Sequence, residues 1–303
     1  MASPREFCFA CLIFAAAAFA QSTQPAGEKG TFEISFDQRS PLSAIPTQHD
    51  RYGLSMSKEQ LYETSKERFL MNVPDSYDAS PGWGVMVWSN AGRSGGGPKD
   101  FIDAAAKKKL LWISADNAGN DRAVGVRIGL ALDAVHNLRQ RYALDDKRTF
   151  VAGISGGGKV AEMAAIAYSD VFDGAIACAG ANWYKDIPVP GKANTAWPAT
   201  FRRPPWPIFL GARDDIAFVF ITGDKDPNQQ PVHAIVDSGF KPEKFRHVTL
   251  WDVPAMGHQA PPVEWFERAI DTLDDAAKQR TKKPLPSTRR TKSATTTRAR
   301  QEL

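Results

Sequence analysis

Residues 148–165 read Arg148-Thr-Phe-Val-Ala-Gly-Ile-Ser-Gly-Gly-Gly-Lys-Val-Ala-Glu-Met-Ala-Ala165, and their pattern decides the fold. A short strand carrying Phe150 and Val151 runs into a Gly-Ile-Ser-Gly-Gly turn. A small-residue helix follows, with Val160, Met163 and Ala164 on one face and Ala161 allowing close approach to a sheet. A serine between a strand and a helix points its hydroxyl out of the sheet only if the backbone turns very tightly, which needs neighbours without a Cβ. Gly153 and Gly157 stand at that spacing around Ser155. The helix behind the turn aims its positive end at the serine, and the N–H of Gly156 faces any oxyanion formed there.

Outward from this stretch the chain alternates. Upstream lie the continuous apolar strand Gly84 to Trp88, a helix-length segment from Lys99 to Lys109, and the buried-type strand Leu110 to Ser114. A long helix then shows Val124, Ile128, Leu132, Val135 and Leu138 on one face. Downstream come strands at Gly174–Cys178, Ile216–Thr222 and Phe245–Trp251, with a helical segment from Pro231 to Gly239 between the last two and a closing helix from Pro262 to Lys278. Strand and helix in alternation specify an α/β fold: a mainly parallel central sheet flanked by helices on both faces. Nearer the N-terminus, Thr31–Phe36 and Glu67–Val73 alternate apolar and polar residues, as half-buried antiparallel edge strands do. One interval breaks the rhythm: residues 183–207 hold Trp183, Tyr184, Trp197, Phe201, Trp206 and six prolines. This composition reads as an insertion folded over the strand ends, with Trp183 and Tyr184 as substrate-binding residues.

The ends of the chain carry different information. Met1 to Arg5, an apolar run from Phe7 to Phe19 and Ala18-Phe19-Ala20 before Gln21 form the three regions of a signal peptide over residues 1–20. That implies a secreted or periplasmic protein without a stable membrane anchor. Two of the three cysteines, Cys8 and Cys11, would leave with the peptide; Cys178 in Ala175-Ile-Ala-Cys-Ala179 reads as apolar filler. Residues 21–30 read as a linker to a domain spanning 31–278. From Lys278 onward nine Lys or Arg stand against Glu302, so this end carries +8 and the rest of the +4 chain is acidic at −4. An acidic body with a basic, Thr/Ser/Pro-rich tail over 279–303 is not the profile of a nucleic-acid-binding domain, and the tail's composition is that of a disordered segment.

A serine hydroxyl needs a base, and the base needs an orienting acid. Gly223-Asp-Lys-Asp226 leaves one strand with two carboxylates, Asp224 and Asp226, and Val253-Pro-Ala-Met-Gly-His258 leaves the last strand, where Gly257 frees the backbone to bring in His258. The order serine, acid, histidine, each just after a different strand, is that of the α/β-hydrolase arrangement. His136 falls within a helix, His247 within a strand, and His49 and His233 in surface-like segments. No zinc-ligand spacing, Walker loop or G-x-G-x-x-G is present, so no cofactor is implied.

On Gly153-x-Ser155-x-Gly157, Gly223-x-x-Asp226 and Gly257-His258, residues from about Phe69 to Leu273 resemble an α/β-hydrolase-fold serine esterase, similar to the polyhydroxybutyrate-depolymerase and feruloyl-esterase-like group. The resemblance implies Ser155 as nucleophile, Asp226 rather than Asp224 as acid, and His258 as base. It departs at Trp88-Ser-Asn-Ala-Gly92, where the superfamily often carries His-Gly, so the second oxyanion N–H belongs to Asn90 or Ala91 beside that of Gly156. The resemblance implies an ester substrate, with polymeric esters among the candidates. The competing readings are a serine peptidase of the prolyl-oligopeptidase kind, which normally has a large accessory domain, and a non-catalytic binding protein on the same scaffold.

Overall fold

The computed structural model describes residues 28–53 and 61–280. The signal-peptide reading of residues 1–20, linker residues 21–27 and tail residues 281–303 lie outside the described residues.

The chain forms β1 (Gly30–Ile34), α1 (Ile45–Tyr52), β2 (Phe69–Val73), β3 (Gly84–Ser89), α2 (Lys99–Lys107), β4 (Leu110–Ala115), α3 (Val124–Arg141), β5 (Thr149–Ile154), α4 (Gly156–Ala167) and β6 (Gly174–Cys178). It continues through the short pair β7 (Ile187–Pro188) and β8 (Ala196–Trp197), then α5 (Trp206–Asp215), β9 (Ala217–Gly223), α6 (Gln229–Ile235), β10 (His247–Val253) and α7 (Val263–Gln279). Among the described residues eight strands make one sheet in the order β1-β2-β4-β3-β5-β6-β9-β10. β1 with β2 and β2 with β4 are antiparallel, and every other neighbour is parallel. Gly30, taken as the end of the linker, is the first residue of β1.

Strand periodicity divides the core. Val85, Val87, Leu111, Ile113, Val151, Ala175, Phe218 and Phe220 point to one face, where they meet buried residues of α3, α4, α5 and α6. Their alternate neighbours Met86, Trp88, Trp112, Phe150, Ile176 and Val219 point to the other and pack with Phe101 of α2 and with Phe266 and Ile270 of α7. The Phe101 and Phe266 rings stack at 4.1 Å between centroids, joining the two helices of that layer. Because both faces are covered, the central strands are buried and mainly apolar and carry no solvent-facing alternation.

Two helices escape the sequence reading. α1 is too polar to mark a core face; it is anchored by the buried Gln48 and Tyr52 and by Arg51, which pairs with Asp170. α5 begins at Trp206, inside the proline-rich interval read as an insertion over the strand ends. Pro205 caps it and Pro207 sits in its first turn, where the missing N–H costs nothing.

Parallel strands carry their exits at one edge. β3, β5, β9 and β10 all end there, and the register pairs Ser89 with Gly153 and Gly223 with Val253. The loops bearing Asn90, Ser155, Asp226 and His258 therefore emerge side by side, at the carboxyl ends where open α/β sheets place their sites.

Candidate active site

Ser155 follows β5 directly and caps α4 with φ 56° and ψ −119°. That backbone conformation is sterically costly for any residue with a side chain. It is held by its surroundings: Ser155 N–H donates to Cys178 O at 2.8 Å and Ser155 O accepts from Lys159 N–H at 3.1 Å. The flanking glycines are required by contact. A Cβ at Gly153 would lie 2.4 Å from Gly157 C, and one at Gly157 would lie 1.9 Å from Ser89 O. The G-x-S-x-G spacing thus lets α4 fold back onto the ends of β5 and β3.

The histidine and the acid arrive on neighbouring loops. His258 Nε2 lies 2.9 Å from Ser155 Oγ, and His258 Nδ1 lies 2.9 Å from Asp226 Oδ1. Asp226 has no exposed side-chain surface, whereas His258 is 38% exposed. The carboxylate of Asp226 also accepts from Asn228 N–H at 2.8 Å and from Thr222 Oγ1 at 3.4 Å, so donors from three directions fix its plane. Asp224 is exposed, and its contribution is a backbone N–H to Val253 O. Geometry thus brings together Ser155, His258 and Asp226, and leaves Asp224 outside.

The glycine that brings the histidine in is not the one expected. A Cβ at Gly257 would meet nothing within 4 Å and its φ is not positive; the left-handed residue of the loop is Ala255 at φ 59°. Gly223 is the residue that matters, because a Cβ there would lie 2.0 Å from Met256 O. Its absence lets the 253–258 loop rest on the exit of β9, where Lys225 N–H donates to Met256 O at 3.1 Å.

Gly156 opens α4 directly after Ser155, so its N–H has no acceptor within the helix. Across from it, the turn after β3 carries the N–H groups of Asn90 and Ala91. Asn90 uses its side chain within the turn, donating from Nδ2 to Ser94 O at 3.1 Å. Its carbonyl accepts from Nη2 of Arg127 at 2.6 Å, and the neighbouring Ala91 carbonyl accepts from Asn120 N–H at 2.9 Å. Neither Arg127 nor Asn120 stands out in the sequence: one interrupts an apolar helix face, the other sits in a polar loop.

Trp183 and Tyr184 are not placed to touch a substrate. They are 2% and 7% exposed and pack with Phe201, Phe209, Phe240 and Phe245 in an aromatic cluster beneath β7. The 183–207 interval is fastened by these rings and by Arg202 N–H donating to Tyr52 O at 2.8 Å. Its aromatic content is spent on filling the α4–α5 side of the core, where large rings bury most surface. Cys178 is buried and free, and burial pushes its thiol up to about 12, which keeps it protonated behind the serine. Among the described residues no cluster of His, Cys, Asp and Glu is arranged to hold a metal ion, and no helix is long and apolar enough to cross a membrane.

No protein-family model and no curated protein matches the chain. Solved structures do resemble it. S-formylglutathione hydrolase (FrmB) from Staphylococcus aureus is 14% identical with a TM-score of 0.52, over 83% of this chain and 99% of that one. A structure described as an arylesterase is 12% identical with a TM-score of 0.52, over 84% and 88%. One described as a thermostable esterase is 13% identical with a TM-score of 0.54, over 81% and 62%. Sheet order, helix layers and these likenesses agree, and the chain has the α/β-hydrolase fold.

Proposed function

We propose that the protein is a serine hydrolase that cleaves carboxylic esters through an acyl-enzyme. The observation that carries the reading is the unbroken run of contacts from Ser155 Oγ through the His258 ring to a fully buried Asp226 carboxylate. Asp226 accepts the Nδ1–H of His258 and fixes the tautomer whose Nε2 is free to take the hydroxyl proton. Ser155 Oγ attacks the ester carbonyl as His258 takes that proton, and the imidazolium then returns it to the departing alkoxide. Water repeats the sequence in reverse and frees the acid. The tetrahedral oxyanion of each half rests against the N–H of Gly156 and an N–H of the Asn90–Ala91 turn.

The exposed face of His258 leaves the mouth open to a bulky or polymeric ester. The leader-like residues 1–20 support export, so we place the enzyme outside the cytoplasm, with the basic residues 279–303 as an appendage not needed for the chemistry.

The test is covalent labelling of the full chain by a fluorophosphonate, read by peptide mass spectrometry, together with hydrolysis of p-nitrophenyl butyrate. Labelling confined to Ser155 and turnover lost in Ser155→Ala are expected. A folded protein that takes no label and turns over no ester is a binding protein on this scaffold.

A further inference from the structure

Arg127 is 6% exposed, near the start of α3, and points at the turn after β3. Its Nη2 donates to Asn90 O at 2.6 Å and to Ser89 Oγ at 3.3 Å, and its Nη1 donates to Asn120 Oδ1 at 3.2 Å. Among the described residues no carboxylate forms an ion pair with it, and its Nε has no hydrogen-bond partner. Asp121, whose charge bears on it, is already paired with Arg93 at 2.9 Å. Burial lowers the guanidinium to about 10, which leaves it charged at neutral pH.

A buried cation without a counter-ion is costly, and a core position on an apolar helix face would be better filled by Leu or Met. Its three acceptors define what it does instead. All lie in the two turns that flank Ser155: the β3 exit, and the 119–120 turn whose Asn120 Oδ1 abuts Gly156 so closely that a Cβ there would sit 1.9 Å away. Asn120 N–H in turn holds Ala91 O at 2.9 Å.

We infer that Arg127 is the positioning residue of the oxyanion site, and that by binding the Asn90 carbonyl it makes the N–H of Ala91 the second oxyanion donor. The carbonyl of Asn90 and the N–H of Ala91 belong to one planar peptide. A cation on the oxygen fixes that plane, turns the N–H to the opposite side and polarises it toward stronger donation. The N–H of Asn90 belongs to the preceding peptide, whose carbonyl, Ser89 O, is packed against Gly157. The positive charge is itself buried behind the site where negative charge develops. The inference rests on the serine-hydrolase reading given above.

The experiment compares wild type, Arg127→Met and Arg127→Lys on p-nitrophenyl butyrate, with circular dichroism and Tm for each, and with Ki for an aryl trifluoromethyl ketone that forms a tetrahedral adduct on Ser155. Arg127→Met is expected to lower kcat by about a hundredfold with KM within about threefold, the order seen when one oxyanion donor is lost. Its Ki is expected to rise by a similar factor. Arg127→Lys keeps the charge and the stem but not the fork, so it is expected to fold as wild type does and to lose about tenfold in kcat. In a crystal structure of the wild-type adduct the oxyanion is expected on Gly156 N and Ala91 N. A folded Arg127→Met or Arg127→Lys with wild-type kcat and Ki overturns the inference while an inactive Ser155→Ala leaves the hydrolase reading standing, and an oxyanion on Asn90 N overturns it equally. If Arg127→Met does not fold, the Lys variant decides: a fall in kcat and a weaker ketone at unchanged KM supports the role, and equal values reject it.

Discussion

Asp226 Oδ1 and His258 Nδ1 meet at 2.9 Å beneath the surface, although the two residues leave different strands. Two residues earlier on the same exit, Asp224 faces solvent. Substitution at these two neighbours should therefore be sharply unequal. We expect Asp226→Asn to lower kcat by about a thousandfold or more, since the amide favours the wrong imidazole tautomer, and Asp224→Asn to cost at most about tenfold. Steady-state kinetics on a soluble ester, with circular dichroism on both variants, checks this. A crippled Asp224→Asn with an active Asp226→Asn would refute the assignment.

The backbone strain at Ser155 predicts a divergence between function and stability. Ser155→Ala should be inactive and keep the wild-type Tm within a few degrees. Ser155→Gly should be equally inactive and more stable than Ser155→Ala by about 1 kcal/mol, because glycine tolerates φ 56°. Urea unfolding of the two variants provides the comparison, and equal stabilities would mean that the turn stores no strain.

Glu162 on α4 is fully buried; one carboxyl oxygen accepts Asn182 N–H at 2.6 Å and the other has no hydrogen-bond partner among the described residues. Burial holds its carboxyl well above the ordinary carboxylate range of about 4.5. The folded state thus keeps a proton that the unfolded chain releases. This contribution to stability is complete below about pH 4.5 and is lost as pH rises toward the folded value. Glu162→Gln removes the titration, so its stability relative to wild type should rise with pH, by at most about 1.4 kcal/mol per unit. Urea midpoints at pH 5 and pH 8 measure it, and a pH-independent difference would count against a protonated Glu162.

Asp133 on α3 is buried and gathers four donors from the segment before β2: Ser40 N–H at 2.7 Å, Ser43 Oγ at 2.6 Å, Tyr62 Oη at 2.7 Å and Thr64 Oγ1 at 3.1 Å. Asp133→Ala should cost about 3 kcal/mol or more, because it leaves several buried donors unpaired at once. Asp133→Asn, which keeps one acceptor, should cost less. Neither should change KM, since the cluster joins the N-terminal segment to α3 rather than touching the mouth. Denaturation curves and KM together test both halves of the prediction.

Local signals in the sequence settled what local physics controls. Central strands buried on both faces are written as apolar runs, so Gly84–Trp88 and Gly174–Cys178 are legible with nearly their true ends. The glycines at 153 and 157 are legible for the same reason: each answers to a contact within a few residues or to one neighbouring strand. The serine, an acid near 226 and His258 could be named because each follows a strand end, and parallel strands put their ends together. Tertiary structure decided the rest. Whether Asp224 or Asp226 meets the imidazole depends on how a two-residue exit is folded, a difference of one side-chain direction that no periodicity encodes. Trp183 and Tyr184 look in sequence like a binding surface, but the space between α5 and β7 needed filling, and large rings fill it. Gly223 rather than Gly257 admits the histidine loop, because close approach is a property of two segments, not of one. Arg127 is the clearest case: on its helix it reads as a polar interruption of a core face, and its meaning comes from a carbonyl 37 residues away that only the folded sheet brings to it.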